Sequence, residues 1–412
     1  MSERVLVVSL PGRRVGEVVQ DREGRAQWRP DAAWEAGGQH PRLGASFLLR
    51  PGRRPRVPGL PNWFDNLLPE RESELRRRLC AMYSLRDGQS FALLAVVGHD
   101  LLGSAYVSPA ASISDDIEPP TTEEDAGHEP SPDRRLSALT GNQLKFSMSM
   151  VGERLAVPAR NESGAWIVKL PGQQWDELAE VERATMTWAA RSGFDVPEHF
   201  TVPIARLDGL PTDWLGRAQS AYAIRRFDRR DDGTRIHNED LCQALDLPPA
   251  NKYGNDPKVT LDGALRFVTD FAGEAAGREM GRRIGFVIAS GNDDAHLKNW
   301  SLLWGDAVRP TLTPCYDLVC TIAWPDLGWE RPDGPRLALG LGQEHLFRKI
   351  DLATLDTFAE RSQIPWAKDE VREGILRAKE SWREIEGVAP ERMRRALEIH
   401  WKNVPVLSTM GS

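Results

Sequence analysis

The sequence predicts an α+β protein in several parts: a small α/β unit at the amino terminus, a β-rich lobe after it and a helical lobe at the end. Three observations lead there. Strand patterns crowd the middle of the chain, from about Asn142 to Arg230. Helical periodicity dominates at Leu261 to Ala289 and at Asp351 to Asn403. An acidic, proline-rich stretch, "ISDDIEPPTTEEDAGHEPSPDRR" (Ile113 to Arg135), parts both from what precedes them. The divisions fall at residues 1–110, 111–135, 136–236 and 237–412.

In the first part, short strands mix with one helix expected over "NWFDNLLPERESELRRRLCAMY", where Leu67, Leu68, Leu75 and Leu79 recur at helical spacing. The acidic stretch has almost no apolar side chains to bury, so it reads as a flexible linker. Beyond it "NQLKFSMSMVGERLAVPA" and "GAWIVKLPG" read as strands, a helix is expected from about Trp175 to Ser192, and "SAYAIRRFDRR" reads as a further strand. From about Asn238 strand signals thin out and helices take over.

Composition narrows the classes of function. The chain has 412 residues, 41% of them hydrophobic, enough for real cores, and a net charge of −7. That charge gives no global positive field, so tight binding of nucleic acid by the chain alone is not expected. Four scattered cysteines without CxxC spacing read as reduced thiols. The most apolar run, "FALLAVVG", is far short of a membrane span, and the expected location is the cytoplasm.

The chemistry concentrates in "SGNDDAHLKNWSLL" (Ser290 to Leu303). Polar groups this dense cost free energy unless each has a partner, and a metal ion, a phosphate or a substrate hydroxyl would supply one. Asp294 precedes Asn299 by five residues, the interval of the D-x-x-x-x-N catalytic loop of protein kinases, where the Asp accepts a hydroxyl proton and the Asn helps hold magnesium. An ordinary capped turn has the same spacing. The chain then reads strand ("WSLLW"), turn ("GDAVRP"), strand ("TLT") and "PCYDL", so a hairpin would return Asp317 to Asn299 and complete a hard, oxygen-rich site suited to magnesium.

Lys169, in "WIVKLP", lies among apolar neighbours in an expected buried strand and so needs an anionic partner. Where a strand lysine contacts nucleotide phosphates, a glutamate on the next helix orients it. Glu177, Glu180 and Glu182 are the candidates here, and Glu182 is preferred. The turn in "ALTGNQLKF" (Ala138 to Phe146) is in place to cover phosphates with backbone N–H groups, or is a plain glycine turn. "RRFDRR" (Arg225 to Arg230) has the position of a kinase hinge, and a basic strand end at the surface fits its composition equally well.

Taken in order, "TGNQLK", "IVKLP", "RRFDR", "EDLCQALDLPPANKYG", "NDDAHLKN" and "PCYDL", with "NWFDNLLPE" and "LLAVVGHDLLGSAYV" before them, resemble the HipA family of serine/threonine kinases. These are the toxins of bacterial type II toxin–antitoxin pairs. The resemblance spans nearly the whole chain except the acidic linker, and it implies a two-lobed protein-kinase-like fold that uses ATP and magnesium. It makes Asp294 the catalytic base, Asn299 and Asp317 the magnesium ligands and Lys169 the phosphate-binding lysine. Gly141, Gln143 and Lys145 of the turn join the nucleotide contacts, and adenine lies against the backbone at Arg226 and Phe227 with Asp228 nearby. His296, at a family-typical histidine grouped with those contacts, supports the loop, and Asp293 has no assigned role.

The expected partners are a protein substrate, such as an aminoacyl-tRNA synthetase or another translation factor, and a helix-turn-helix antitoxin similar to HipB through which DNA is reached indirectly. Two departures stand out. Ala138 occupies the family's usual self-phosphorylated serine, leaving Ser137 and Thr140 as nearby acceptors, and Arg226 stands where a glutamate is common. Two other classes compete. One is a catalytically silent co-repressor docked on the antitoxin, which the presence of Lys169, Asp294, Asn299 and Asp317 disfavours. The other is a metal-dependent phosphohydrolase using Asp293, Asp294, His296 and Asp317, which would release phosphate without transferring it.

Overall fold

The computed structural model describes residues 3–36, 43–110, 143–159, 162–172, 175–216, 219–254, 259–305 and 309–410. The expected linker at 111–135, and with it Ser137, Thr140 and Gly141, lie outside these residues. The chain divides into two compact units, one of residues 1–174, 202–250 and 304–308, the other of 175–201, 251–303 and 309–412.

The first unit opens on strands β1 (Arg4–Leu10), β2 (Arg13–Gln20), β3 (Arg25–Pro30), β4 (Val57–Pro58) and β5 (Tyr106–Pro109), which form an antiparallel sheet in the order β4-β3-β2-β1-β5. Alternation decides which face is inside: in β1, Leu6, Val8 and Leu10 are buried. Trp28 of β3 and Trp63 join an aromatic cluster, their rings 5.3 and 5.1 Å from Phe64, the first tilted and the second edge-on. Leu67, Leu68, Leu75 and Leu79 are all buried as their spacing implies. The single helix expected there is nevertheless two pieces, Asn62–Asp65 and Glu74–Met82. Pro69 lies in the break, where its ring and missing N–H oppose a continuous helix, and Ser73 restarts the helix by accepting the Arg76 N–H at 3.1 Å.

The same unit holds the β-rich segment. Strands β6 (Lys145–Val151), β7 (Arg154–Ala156) and β8 (Trp166–Lys169) pair antiparallel about β6, and strand Ser220–Arg225 adds to the other edge of β8. Lys145 and Tyr222 are thereby the cross-strand neighbours of Lys169.

The second unit is mainly helical. The helix expected from Trp175 begins at Leu178 and ends at Arg191, and it belongs to this unit, not to the strands that flank it in sequence. The periodic run from Leu261 is two helices, Leu261–Ala272 and Glu274–Ser290, parted at Gly273, whose φ of 101° other residues rarely adopt. The run from Asp351 is three helices, Leu352–Ser362, Ala367–Ile385 and Glu391–Asn403. Glu274–Ser290 and Ala367–Ile385 approach until backbone meets backbone: a Cβ on Gly374 would stand 1.9 Å from the Arg282 carbonyl oxygen. Trp188 fills the core beside them, 4.9 Å from both Phe286 and Trp382. Two short antiparallel pairs complete the unit, Ser301–Leu303 with Thr311–Leu312 and Arg336–Leu341 with Glu344–Leu346. Among the described residues no helix is long and apolar enough to cross a membrane.

Candidate active site

Helix Glu274–Ser290 delivers the polar stretch to its place. Gly291 ends the helix in the left-handed conformation (φ 63°), and a Cβ there would meet Ile322 at 2.3 Å, so only glycine turns this corner. Thr321 clamps the exit, its hydroxyl donating to the Gly291 carbonyl at 3.0 Å and accepting the Asp293 N–H at 2.7 Å. Asn292 accepts the Asp294 N–H at 3.0 Å.

The loop is then held by itself. The His296 N–H donates to the Asp294 carbonyl at 2.7 Å, and the Asn299 side-chain amide donates to the same carbonyl at 2.8 Å. These bonds aim the Asp294 carboxylate outward, where it is exposed. Asn299 closes the one-turn helix Leu297–Asn299 with its side-chain oxygen unspent by that bond. The strand pair after it turns the chain back, with Leu302 opposite Leu312 and the Thr313 N–H donating to Ser301 at 3.1 Å. Asp317 arrives in the left-handed region (φ 57°), which aspartate tolerates better than most residues.

The result is one small pocket lined by Asn292, Asn299, Tyr316, Asp317 and Arg283, among others. One carboxylate and one amide oxygen are hard donors, and such a set suits magnesium, which keeps several waters and shares phosphate oxygens. The buried side-chain nitrogen of Asn292 has no hydrogen-bond partner, consistent with a site that expects a further polar occupant.

Charges around the loop are tuned by burial. His296 is buried, and burial with the Lys252 and Lys298 charges holds its imidazole well below the usual range against the pull of Asp317, so it is neutral. Its ring packs edge-on to Tyr253 with centroids 5.1 Å apart. Burial and the neighbouring Asp294 push the Asp293 carboxyl up to about 6 in spite of Arg331, whose guanidinium is 3.4 Å away. Sequence reasoning missed four supports here: Asn292, Thr321, Arg331 and Tyr253, whose hydroxyl donates to Asp294 Oδ1 at 2.8 Å. Only Asn292 lies within the motif; the others come from distant chain.

The remaining candidates lie in the first unit. Lys169 is 5% exposed, with its ammonium 5.6 Å from the centroid of the Tyr222 ring. Lys145 faces it across β6 and β8, and two like charges on neighbouring strands favour an anion beside them. Gln143 donates to the Leu170 carbonyl at 3.0 Å, which ties the start of this strand to the end of β8.

At the expected hinge the side chains of Arg226 and Asp228 have partners within the protein. Arg226 is fully buried, bonding Asp228 and Asp100 at 2.9 Å and the Leu101 carbonyl at 2.8 Å, and Arg229 joins the same cluster. The Arg226 N–H donates to the Ala165 carbonyl at 2.8 Å. The Arg226 and Asp228 side chains thus fasten residues 100–103 to the second sheet. Of the glutamates weighed beside Lys169, Glu177 pairs with Arg392 at 2.8 Å and Glu182 is buried.

Comparison with known proteins agrees with this architecture over both segments. A model of the HipA N-terminal domain matches residues 6–108, and a model of the HipA-like C-terminal domain matches residues 137–386. "Putative kinase Y4dM" of Sinorhizobium fredii is 36% identical over 328 residues, covering 78% of each chain. "Putative kinase Y4mE" of the same organism is 31% identical over 389 residues, 88% of this chain and 87% of that one. The fold is that of Shewanella oneidensis HipA, solved with HipB and its operator DNA, at a TM-score of 0.71 and 22% identity over 98% of this chain and 99% of that one. With one model on the amino-terminal sheet unit and the other reaching from the lysine strands through the Asp294 loop, the chain belongs to the HipA family.

Proposed function

We propose that this chain is an ATP- and magnesium-dependent serine/threonine protein kinase and the toxin of a toxin–antitoxin pair. The observation that carries the reading is the loop in which Asp294 is exposed while Asn299, bonded to the Asp294 carbonyl, shares a pocket with Asp317. A phosphohydrolase with a multi-residue metal cluster has less support, since no group of three or more His, Cys, Asp or Glu suited to a metal occurs among the described residues.

In this mechanism Asp294 accepts the proton of the acceptor hydroxyl, and Asn299 and Asp317 hold magnesium. The bound ion would neutralise phosphate charge. Lys169 and Lys145 bind the phosphates, Gln143 and Gly141 are assigned to the turn over them, and adenine lies against the backbone at Arg226 and Phe227 with Asp228 nearby. Neutral His296 packs beneath the loop without adding charge. Catalysis then rests on positioning and electrostatics, as phosphoryl transfer does generally. The substrate is a cellular protein such as a translation factor, and Ser137 or Thr140 is the self-modified residue in place of Ala138.

Shewanella HipA was solved with HipB and operator DNA. By analogy the partner of this chain is a small helix-turn-helix antitoxin, which would supply the positive surface that a net charge of −7 withholds. The test is label transfer from magnesium-ATP to protein acceptors in a cell extract. Transfer onto serine or threonine, lost in Asp294→Asn, supports the kinase, whereas phosphate release with no labelled acceptor favours the hydrolase.

A further inference from the structure

Tyr253 stands next to last in the segment "EDLCQALDLPPANKYG", which the proposed mechanism leaves without a role. Its hydroxyl donates to Asp294 Oδ1 at 2.8 Å, the contact an acceptor hydroxyl must make with a base before losing its proton. The phenol is held there from two sides: the Lys252 ammonium sits 4.7 Å from its ring centroid, and the His296 ring stands edge-on to it at 5.1 Å. Lys252 is itself anchored to the loop, its carbonyl accepting the Leu297 N–H at 3.0 Å. Tyr253 is nevertheless 42% exposed, so its hydroxyl can leave Asp294 without opening a core.

We propose that Tyr253 keeps the acceptor's place on Asp294: its hydroxyl occupies the carboxylate oxygen that the substrate hydroxyl needs, and a bound acceptor displaces it. This rests on the reading of Asp294 as the base. The arrangement protects ATP, because water reaching Asp294 would otherwise be a competent acceptor. In that side reaction the water oxygen bonds to the γ-phosphorus as the bond to the β,γ-bridging oxygen breaks. The water proton passes to Asp294, and ADP departs with the electron pair.

Water is therefore the probe, and phosphate release from magnesium-ATP without protein acceptor is the readout. Tyr253→Phe keeps the ring and its two contacts and removes only the hydroxyl. It should raise release about tenfold, the scale of one hydrogen bond to a charged group, with the melting shift caused by magnesium-ATP unchanged. The double variant Tyr253→Phe with Asp294→Asn should fall back to the rate of Asp294→Asn alone. Tyr253→Leu, which also loses the Lys252 and His296 contacts, should show the same rise if the hydroxyl alone is responsible. A Tyr253→Phe rate at or below wild type, while Asp294→Asn abolishes release, overturns the place-keeping role and leaves the base intact. Release that survives Asp294→Asn at the wild-type rate sinks the reading of Asp294, and this proposal with it.

Discussion

Asn299 donates its side-chain amide to the Asp294 carbonyl at 2.8 Å, so the two ends of the D-x-x-x-x-N interval are tied to each other directly. The interval is a bonded unit, and the bond fixes which way Asn299 points its oxygen. Asn299→Ala removes the tie and one proposed magnesium ligand together. Stability should fall by only about 1 kcal/mol, the net worth of one hydrogen bond, while label transfer should fall far more. A transfer rate within twofold of wild type at saturating magnesium would show that neither consequence matters.

Asp294→Asn is nearly isosteric and leaves intact the backbone bonds made by its N–H and carbonyl. Folding and nucleotide binding should persist. Phosphoryl transfer should drop on the order of 10²- to 10⁴-fold, the usual contribution of a general base. The check pairs label transfer with the melting shift given by ATP, and the assignment fails if transfer survives.

For Asp317 the informative change is to asparagine. The residue sits at φ 57°, where alanine would add backbone strain unrelated to any ion, whereas asparagine tolerates that conformation and removes only the charge. Melting temperatures with ATP alone should match wild type, and the extra stabilisation given by magnesium should shrink. An undiminished magnesium increment excludes Asp317 as a ligand.

The buried charges of the first unit answer to a different experiment. Asp100 accepts from Arg226 and Arg229, each at 2.9 Å, and from the Ser163 hydroxyl at 2.7 Å. Its carboxyl, penalised by burial but overruled by the two guanidiniums, is held far below the usual range. Asp100→Asn leaves two arginines facing Asp228 alone. Breaking a buried ion network this way costs about 3–5 kcal/mol, to be read as a large fall in the denaturation midpoint.

That cluster also shows where legibility in the sequence ends. Strand alternation, the buried leucines and the Asp294–Asn299 interval are local patterns with one period each, and they can be read without the fold. The ion cluster around "RRFDRR" was not legible, because Asp100 lies more than a hundred residues from Arg226 and the neighbouring Asp228 does not by itself announce its burial. Tyr253 was invisible for the same reason, since its hydroxyl meets Asp294 only through packing of separate segments. The broken helices at Pro69 and Gly273 were local signals, outweighed by apolar periodicity that runs straight through them.

His237, His296 and His400 are all buried with imidazoles held below their ordinary range, and His400 lets one of these contributions to acid sensitivity be separated. His400 is wholly buried, with Nε2 2.8 Å from the Ile288 carbonyl, Nδ1 without a hydrogen-bond partner and its ring edge-on to Phe347 at 4.9 Å. The neutral tautomer donates from Nε2, and a second proton would place an unpaired charge at Nδ1 in an apolar core. Burial accordingly pushes the imidazole down to about 4 from an ordinary 6.5. Between those values the unfolded chain holds a proton that the folded chain refuses, so stability is full above pH 6.5 and is lost as pH falls towards 4. His400→Gln can keep the bond to Ile288 and cannot titrate. The pH slope of its unfolding free energy between 4.5 and 6 should be shallower than that of wild type by about one proton, or about 1.4 kcal/mol per pH unit. Asp293 and Glu239, whose buried carboxyls are pushed up to about 6 and about 8, act in the opposite direction over part of this window. They are common to both proteins and cancel in the comparison, so equal slopes for wild type and His400→Gln would mean that His400 is already protonated in the folded state or never resists the proton.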